Sequence, residues 1–329
     1  MEQQFAGWRK KYFTIWTGQG ISTLTSSIVQ MAIIWYITGR TKSAAVLSFA
    51  TLAGFLPQAV LGMFIGVLID RHDRKKIMIC SDLVMTSACV ALAVSGIWGD
   101  IPIWMIFIVL FIRSIGNAFY APSLQAIMPS IIPKDQLTKY AGYSQSFESA
   151  SMIASPAIAA VLYSVFPLKV ILMLDVLGAI FAVATLTAVD IPAISREDKD
   201  KTNLLGEVKE GYGVMRSVPG MRELLVIGAL YAVIYFSIGT LYPLITMSYF
   251  NGGVRESGLV ETVFAVGTLV GSVSLGIWGG RIDKIKAIAG SIGIYGAGTL
   301  VTGLLPPNGF YVFVFLSFFM GVSVPFYFG

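Results

Sequence analysis

Long apolar runs separated by short polar breaks make up most of this chain. Each run is about 20 residues or longer, the length that a helix needs to cross the hydrocarbon core of a bilayer. The pattern predicts ten spanning helices, at residues 12–38, 43–69, 77–98, 101–121, 142–165, 168–189, 223–249, 257–279, 285–305 and 310–329.

Composition supports this interpretation. Hydrophobic residues are 56% of the 329 and charged residues only 12%, whereas a soluble domain carries about 25% charge. These charges are too few to cover the surface of a soluble protein of this size. We therefore expect lipid to surround much of the chain.

One long polar segment, 191–222, interrupts the pattern. It predicts three regions: a six-helix bundle at 1–190, a central loop at 191–222, and an incomplete second bundle of four spans at 223–329. The fold class is therefore an all-α membrane protein.

Lys and Arg are distributed unequally between the two sides of this topology. With the N-terminus inside, eighteen of the 23 lie in inner segments and four in outer loops, with Arg113 inside a span. Because inner loops are enriched in Lys and Arg, the bias predicts a cytoplasmic N-terminus and central loop. It also explains the net charge of +5 without a nucleic-acid partner.

Enzyme and metal chemistry find no support in the sequence. Cys80 and Cys89 share span 3, nine residues apart, so they lie about 13.5 Å apart along a helix, too far for a disulfide. The single histidine, His72, and these two cysteines have no metal-ligand spacing. No nucleotide-binding P-loop or nucleophile elbow is present, and we predict neither an enzyme nor a metal site.

Two loops at an offset of 210 residues resemble each other. The segment 66–76 reads GVLIDRHDRKK and the segment 276–286 reads GIWGGRIDKIK, so that Gly, Arg and Asp coincide. Each follows the second span of its half, as a parallel duplication of a six-span unit would produce. We predict a gating loop whose residues are Gly66, Asp70, Arg71, Arg74, Lys75, Arg281 and Asp283.

These residues resemble the signature of the major facilitator superfamily, Gly-x-x-x-Asp-Arg-x-Gly-Arg-Lys. Asp73 stands where the signature has its second Gly, a departure that bears on the geometry of the turn. The resemblance is closest to the bacterial macrolide efflux (Mef-type) drug/proton antiporters. It covers nearly the whole chain, through stretches such as IGVLIDRHDRKKIMI (65–79), IVLFIRSIGNAF (108–119) and LYPLITMSYFNG (241–252).

The resemblance implies a secondary transporter of the bacterial cytoplasmic membrane that exports macrolides or other lipophilic drugs in exchange for protons. It implies no cofactor, because the proton gradient drives transport. It leaves open an ATP-binding partner protein, which the sequence itself does not indicate. The family has two six-helix bundles, so we expect about two further spans to be absent here, and an open second bundle to transport nothing.

Ionisable residues inside spans are candidates for proton coupling, since an unpaired charge in hydrocarbon costs at least about 2.5–3.5 kcal/mol. Arg113 lies about 12 Å from the predicted inner end of span 4, and Asp175 about 10 Å into span 6. Arg113 could instead pair near Asp70, and Asp175 could bond a Ser or Thr. Glu148 is the third candidate, with a solvated position equally open. Two further carboxylates, Asp82 and Glu261, lie near span ends and are expected to be interfacial.

Polar and aromatic residues of spans 1, 4 and 7 are the candidates for drug binding, because such cavities combine apolar walls with a few polar anchors. They are Gln19, Gln30, Tyr36, Asn117, Tyr231 and Tyr235. Packing between helices explains them equally well. Trp35 and Trp98, near span ends, are expected to belong to the interfacial aromatic belt.

Two alternative functions stay open. An importer of a small polar solute predicts more polar residues within spans 1, 4 and 7 than this sequence has. A non-transporting membrane scaffold or sensor predicts that Asp175→Asn and Arg113→Ala leave the cellular phenotype intact.

Overall fold

The computed structural model describes residues 7–133, 136–190, 220–278 and 283–328. Ten helices account for most of this described part. They are α1 (Trp8–Thr41), α2 (Ala44–Arg71), α3 (Arg74–Ser95), α4 (Ile103–Ile131), α5 (Leu137–Val165), α6 (Leu168–Ala188), α7 (Met221–Leu244), α8 (Val254–Trp278), α9 (Lys284–Leu304) and α10 (Phe310–Phe328).

The ten predicted spans correspond to these ten helices in order. Nine of the described helices are long and apolar enough to cross a membrane, and the apolar part of the remaining one, α5, is Ala150–Val165. Two details differ from a simple helical span. The first turn of α6, Leu168–Ile171, is offset from the rest, Met173–Ala188, and α7 continues as a π-helical turn, Ile245–Tyr249. The chain is a multi-pass membrane protein.

The largest boundary error concerns α4. The sequence predicted an end at Ala121, whereas the helix continues to Ile131 and contains Pro122 and Pro129. Proline removes a backbone hydrogen bond and commonly ends a helix in water, but neighbouring helices let membrane helices tolerate it.

Helices α1–α6, the N-terminal group, pack around α1 and α4. Helix α1 contacts α5 and α6, α4 contacts α2 and α3, and α3 also contacts α6. Small residues allow the close approach of α1 and α6, since a Cβ added at Gly18 would overlap Thr185 and one at Gly178 would overlap Thr25.

Helices α7–α10, the C-terminal group, are organised around the contact of α8 with α10. A Cβ at Gly267 would overlap the Phe318 carbonyl oxygen, and one at Gly271 the Val322 carbonyl oxygen. Gly321 lies in the same way against the Phe264 carbonyl. Gly267 and Gly271, four residues apart, share one helix face, which is the small-xxx-small arrangement of close membrane helix pairs.

The two groups contact each other through α5 with α8 and α2 with α7. A Cβ at Gly258 of α8 would lie 2.7 Å from the Ala160 Cβ and 3.2 Å from the Pro156 carbonyl oxygen of α5. The rings of Phe55 and Phe236 lie 5.4 Å apart between α2 and α7. The predicted central loop lies mostly outside the described residues, so the predicted domain boundaries remain a prediction.

The repeated loops end in the same local structure. Asp73 caps α3 by accepting hydrogen bonds from the backbone N–H groups of Lys75 (3.0 Å) and Lys76 (3.3 Å). Asp283 caps α9 by accepting from Ile285 (2.9 Å) and Lys286 (3.4 Å). A carboxylate at this position satisfies N–H groups that the helix leaves unpaired. The departure at Asp73 therefore supplies a helix cap, and the similarity of the two loops extends to their geometry.

Candidate functional site

A buried ion pair joins α4 to α6. Arg113 Nη1 bonds Asp175 Oδ2, and the two side chains are 5% and 4% exposed. The same nitrogen donates to Cys89 Sγ at 3.0 Å, and Nη2 donates to the Ser26 carbonyl oxygen at 3.3 Å. Ser26 Oγ in turn donates to Asp175 Oδ1 at 2.6 Å. We call Arg113, Asp175, Ser26 and Cys89 the ion-pair site.

The helices place the two charges at a common depth. Helices α4 and α6 begin on the same side of the fold; Arg113 lies ten residues after Ile103 and Asp175 seven after Leu168. By helical rise these are about 15 Å and 10 Å. The inner-end distance that the sequence gave for Arg113 is wrong, because α4 continues ten residues beyond Ala121.

The structure gives each member of the pair specific partners. Arg113 bonds Asp175 of α6, a partner that the sequence did not suggest; the side chain of Asp70 lies outside the described residues. Asp175 has the expected bond to a serine, through Ser26, and the ion pair in addition. An ion pair in a low-dielectric interior needs such extra hydrogen bonds to offset the loss of hydration.

Asp82 of α3 was expected at the membrane interface, and that expectation is wrong. Its side chain is only 3% exposed, and its Oδ2 is buried without a hydrogen-bond partner in the described part of the chain. Its helix α3 packs against α4 and α6. Eight residues separate Asp82 from Arg74, about 12 Å of helix, so span position alone underestimated its burial.

Trp35 and Glu261 were also misplaced by sequence reasoning. Trp35 is fully buried rather than interfacial, and its Nε1 donates to Glu261 Oε1 at 3.3 Å, joining α1 to α8. Glu261 Oε2 is buried and finds no partner among the described residues. Trp98, by contrast, is 81% exposed, as a belt residue would be.

The six candidates for drug binding do not form one group in the described residues, although two of them, Tyr231 and Tyr235, are in contact. Gln19 is buried, accepts a hydrogen bond from Tyr120 and donates to the Ala182 carbonyl at 3.5 Å. Tyr36 donates to the Ile101 carbonyl at 3.4 Å. Gln30 is half-buried and Asn117 exposed.

Tyr231 and Tyr235 belong to an aromatic cluster with Tyr295 and Tyr327, in which the rings of Tyr231 and Tyr327 stack at 4.0 Å. The role of all six candidates in binding remains a prediction.

The remaining predicted residues have local roles or lie outside the description. Glu148 is exposed on α5. Arg74 donates to the Ala126 carbonyl of α4 at 2.9 Å, and Lys75 to the Val189 carbonyl after α6 at 2.8 Å.

The backbone places Gly66, Asp70 and Arg71 in α2, but their side chains are outside what the structure describes, as is all of Arg281. Within the described residues, no cluster of three or more metal-ligating side chains occurs.

Ten apolar helices in two groups, with buried charges in the first, define a membrane transport protein. The family model of the Major Facilitator Superfamily matches residues 15–329, and the chain belongs to that superfamily.

Relatives and solved structures agree with this assignment. Macrolide efflux protein A of Streptococcus pyogenes is 48% identical over 99% of this chain and 81% of its own length. The protein of the same name from Enterococcus faecalis is 48% identical over 87% of this chain and 89% of its own length. An inward-facing bacterial homologue of the human lysosomal transporter Spinster has the same fold, with a TM-score of 0.70, 14% identity, and coverage of 98% of this chain and 74% of that one.

Proposed function

We propose that this protein exports macrolides or similar lipophilic drugs from the bacterial cytoplasm in exchange for protons, by alternating access. The observation that carries the substrate class is the 48% identity to macrolide efflux protein A over 99% of the chain. The match extends through both groups of helices.

The ion-pair site supports proton coupling. Buried ionisable groups in membrane helices mark ion pathways, because they are too costly to keep without a role. Arg113 and Asp175 are held by hydrogen bonds from α1, α3, α4 and α6, so a change of charge at this site acts on four helices together.

Contacts between the two groups support alternating access. Rocking of two bundles about a central site is the common transport motion of this fold class. The α5–α8 contact at Gly258 and Ala160 is made by small residues and backbone, with the ring of Trp35 beside it, so the two helix surfaces approach closely at a point where the groups would move.

Orientation follows from the distribution of Lys and Arg, eighteen on the side of the N-terminus against four on the other. We infer a cytoplasmic N-terminus. Export then runs from the side of the repeated loops to the side of Arg40 and Asp100, which form an exposed ion pair at 2.6 Å.

Accumulation of radiolabelled erythromycin tests the proposal in a macrolide-sensitive bacterium that expresses the complete reading frame containing these 329 residues. We expect lower accumulation than in cells with an empty vector, and loss of that difference on addition of a protonophore. Asp100→Asn, which removes an exposed carboxylate, should export normally.

Other outcomes identify the alternatives. Unchanged erythromycin accumulation with and without a protonophore would contradict the proposal. Export that survives the protonophore but stops on ATP depletion would indicate an ATP-binding partner. Wild-type behaviour of Asp175→Asn and Arg113→Ala would favour a scaffold or sensor.

A further inference from the structure

Three charged side chains are buried in the described part of the N-terminal group: Asp82, Arg113 and Asp175. One is a cation and two are carboxyl groups. If both carboxyl groups were ionised, this interior would hold a net negative charge, which the low dielectric makes costly. A proton on one of the carboxyl groups removes that charge.

Geometry distinguishes the two carboxyl groups. Asp175 forms the ion pair with Arg113 and accepts from Ser26, so both of its oxygens are satisfied as a carboxylate. Protonation of Asp175 would leave the Arg113 guanidinium as an uncompensated buried charge, the costly outcome when one partner of a buried pair is removed. The hydrogen-bonding capacity of Asp175 is therefore used by its fixed partners.

Asp82 has the opposite environment. It is buried, it has no cation among its described partners, and its Oδ2 is without a hydrogen bond. Its helix α3 packs against α4 and α6, which carry Arg113 and Asp175. An ionised carboxyl that is buried in a membrane helix without a counter-ion is costly.

We propose that Asp82 is the group that takes up and releases the exchanged proton, while Asp175 and Arg113 form a fixed pair that sets the charge around it. The step is a proton transfer between water and the Asp82 carboxyl, with no other bond made or broken. This inference rests on the proposed function, because it assigns a residue to proton-coupled export.

The position of Asp82 fits exchange with one side of the membrane. Arg74 at the start of α3 and Ala188 at the end of α6 lie on the same side of the fold. From that side, Asp82 lies about 12 Å along α3 and Asp175 about 20 Å along α6. Tyr120 and Gln19, joined by a hydrogen bond, lie on neighbouring helices α4 and α1. Along the helices, Asp82 therefore lies nearer to this side than Asp175 does.

Infrared difference spectroscopy on the purified complete protein tests the assignment without requiring transport. Near neutral pH, the carboxylic-acid band of wild type should lose intensity in Asp82→Asn, and Glu261→Gln identifies the separate contribution of the other carboxyl with a buried, unpartnered oxygen. Asp100→Asn is the matched control, because it removes an exposed carboxylate and should leave the band unchanged. A band of wild-type intensity in Asp82→Asn overturns the proposal.

Proteoliposomes separate this proposal from the proposed function. With erythromycin as the probe, Asp82→Asn should bind drug and equilibrate it down its gradient, but lose at least about tenfold of the uptake driven by a pH gradient; Asp82→Glu should restore part of it. Driven uptake by Asp82→Asn within twofold of wild type overturns the assignment of Asp82 alone. Absence of driven uptake by wild type itself overturns both the assignment and proton-coupled export.

Discussion

The two groups of helices have loops of the same structure but different residues in their interiors. Both repeated loops end in an aspartate that caps the following helix, Asp73 in the N-terminal group and Asp283 in the C-terminal group. The interior of the N-terminal group holds Asp82, Arg113 and Asp175. The described interior of the C-terminal group holds mainly hydroxyl groups and rings, including Tyr242 and Tyr295, and one partly buried carboxyl, Glu261.

This difference indicates that the two halves of a duplicated architecture have different functions. The loop and its cap stabilise the same helix junction in each half, so their similarity follows from folding. The buried ion pair occurs in the N-terminal group, where it serves no packing need that apolar side chains would not meet. We infer that the N-terminal group holds the main ion chemistry, and that the C-terminal group supplies apolar and aromatic surface together with one carboxyl, Glu261, at its contact with α1.

The largest effect on this comparison should come from breaking the ion pair. Arg113→Met leaves Asp175 buried without a cation, and removal of one partner of a buried pair costs about 3–5 kcal/mol. We expect a corresponding loss of stability of the purified protein in detergent, measured by reversible unfolding.

The double variant Arg113→Met/Asp175→Leu is the control for that prediction. It removes both charges and replaces them with apolar groups, which is often close to neutral for stability. We expect it to be more stable than Arg113→Met while still failing to export. A double variant no more stable than the single one would show that the pair is not the source of the cost.

The C-terminal group should respond instead to lost backbone contact. Gly267→Ala and Gly271→Ala each place a methyl group against a carbonyl oxygen of α10, and overpacking of this kind costs about 1–3 kcal/mol. Gly290→Ala and Gly293→Ala, where no atom lies within 4 Å of an added Cβ, are matched controls for helix propensity. Equal stability of both sets would contradict the close α8–α10 packing.

Between the groups, Trp35→Phe removes the hydrogen bond to Glu261 and keeps an aromatic ring in place. A buried carboxyl that loses its partner costs about 1–3 kcal/mol, and we expect this cost only in the conformation in which α1 and α8 touch. Distance measurements between spin labels on the two groups should show that conformation depopulated. Glu261→Leu, which removes the unsatisfied carboxyl, should reverse the shift; populations equal to wild type in Trp35→Phe would refute the contact.

The smallest effect should be the same in both halves. Asp73→Ala and Asp283→Ala each remove a helix cap, at a cost of about 1 kcal/mol, and the serine variants should retain most of the stability. A large loss of export in Asp73→Ala with little change in stability would instead assign this loop to gating.

Predictions from the sequence were correct for features that depend on the local sequence. They were wrong for features that depend on contacts between different helices. All ten spans could be predicted because the length of an apolar run is set by the bilayer. Asp73 is followed by the basic start of α3, and its capping role is readable from sequence in hindsight. The end of α4 was missed because Pro122 and Pro129 are tolerated only through neighbouring helices.

The candidate site shows the same limit. Arg113 and Asp175 were each identified from their depth, but nothing in the sequence links residues on α4 and α6 that are 62 positions apart. Trp35 and Asp82 were assigned to the interface by distance from a span end, although burial depends on which neighbour covers that face. The pairing of helices, not their position along the chain, decides these cases.

Proton release during drug binding is the most direct test of the central claim, that the charged core of the N-terminal group couples export to protons. Erythromycin is added to the purified complete protein in lightly buffered detergent solution while the pH is recorded. We predict an acidification that saturates with drug binding in wild type and in Tyr295→Phe, and that is absent in Asp82→Asn although the drug still binds. Drug binding by wild type without any release of protons would contradict the account.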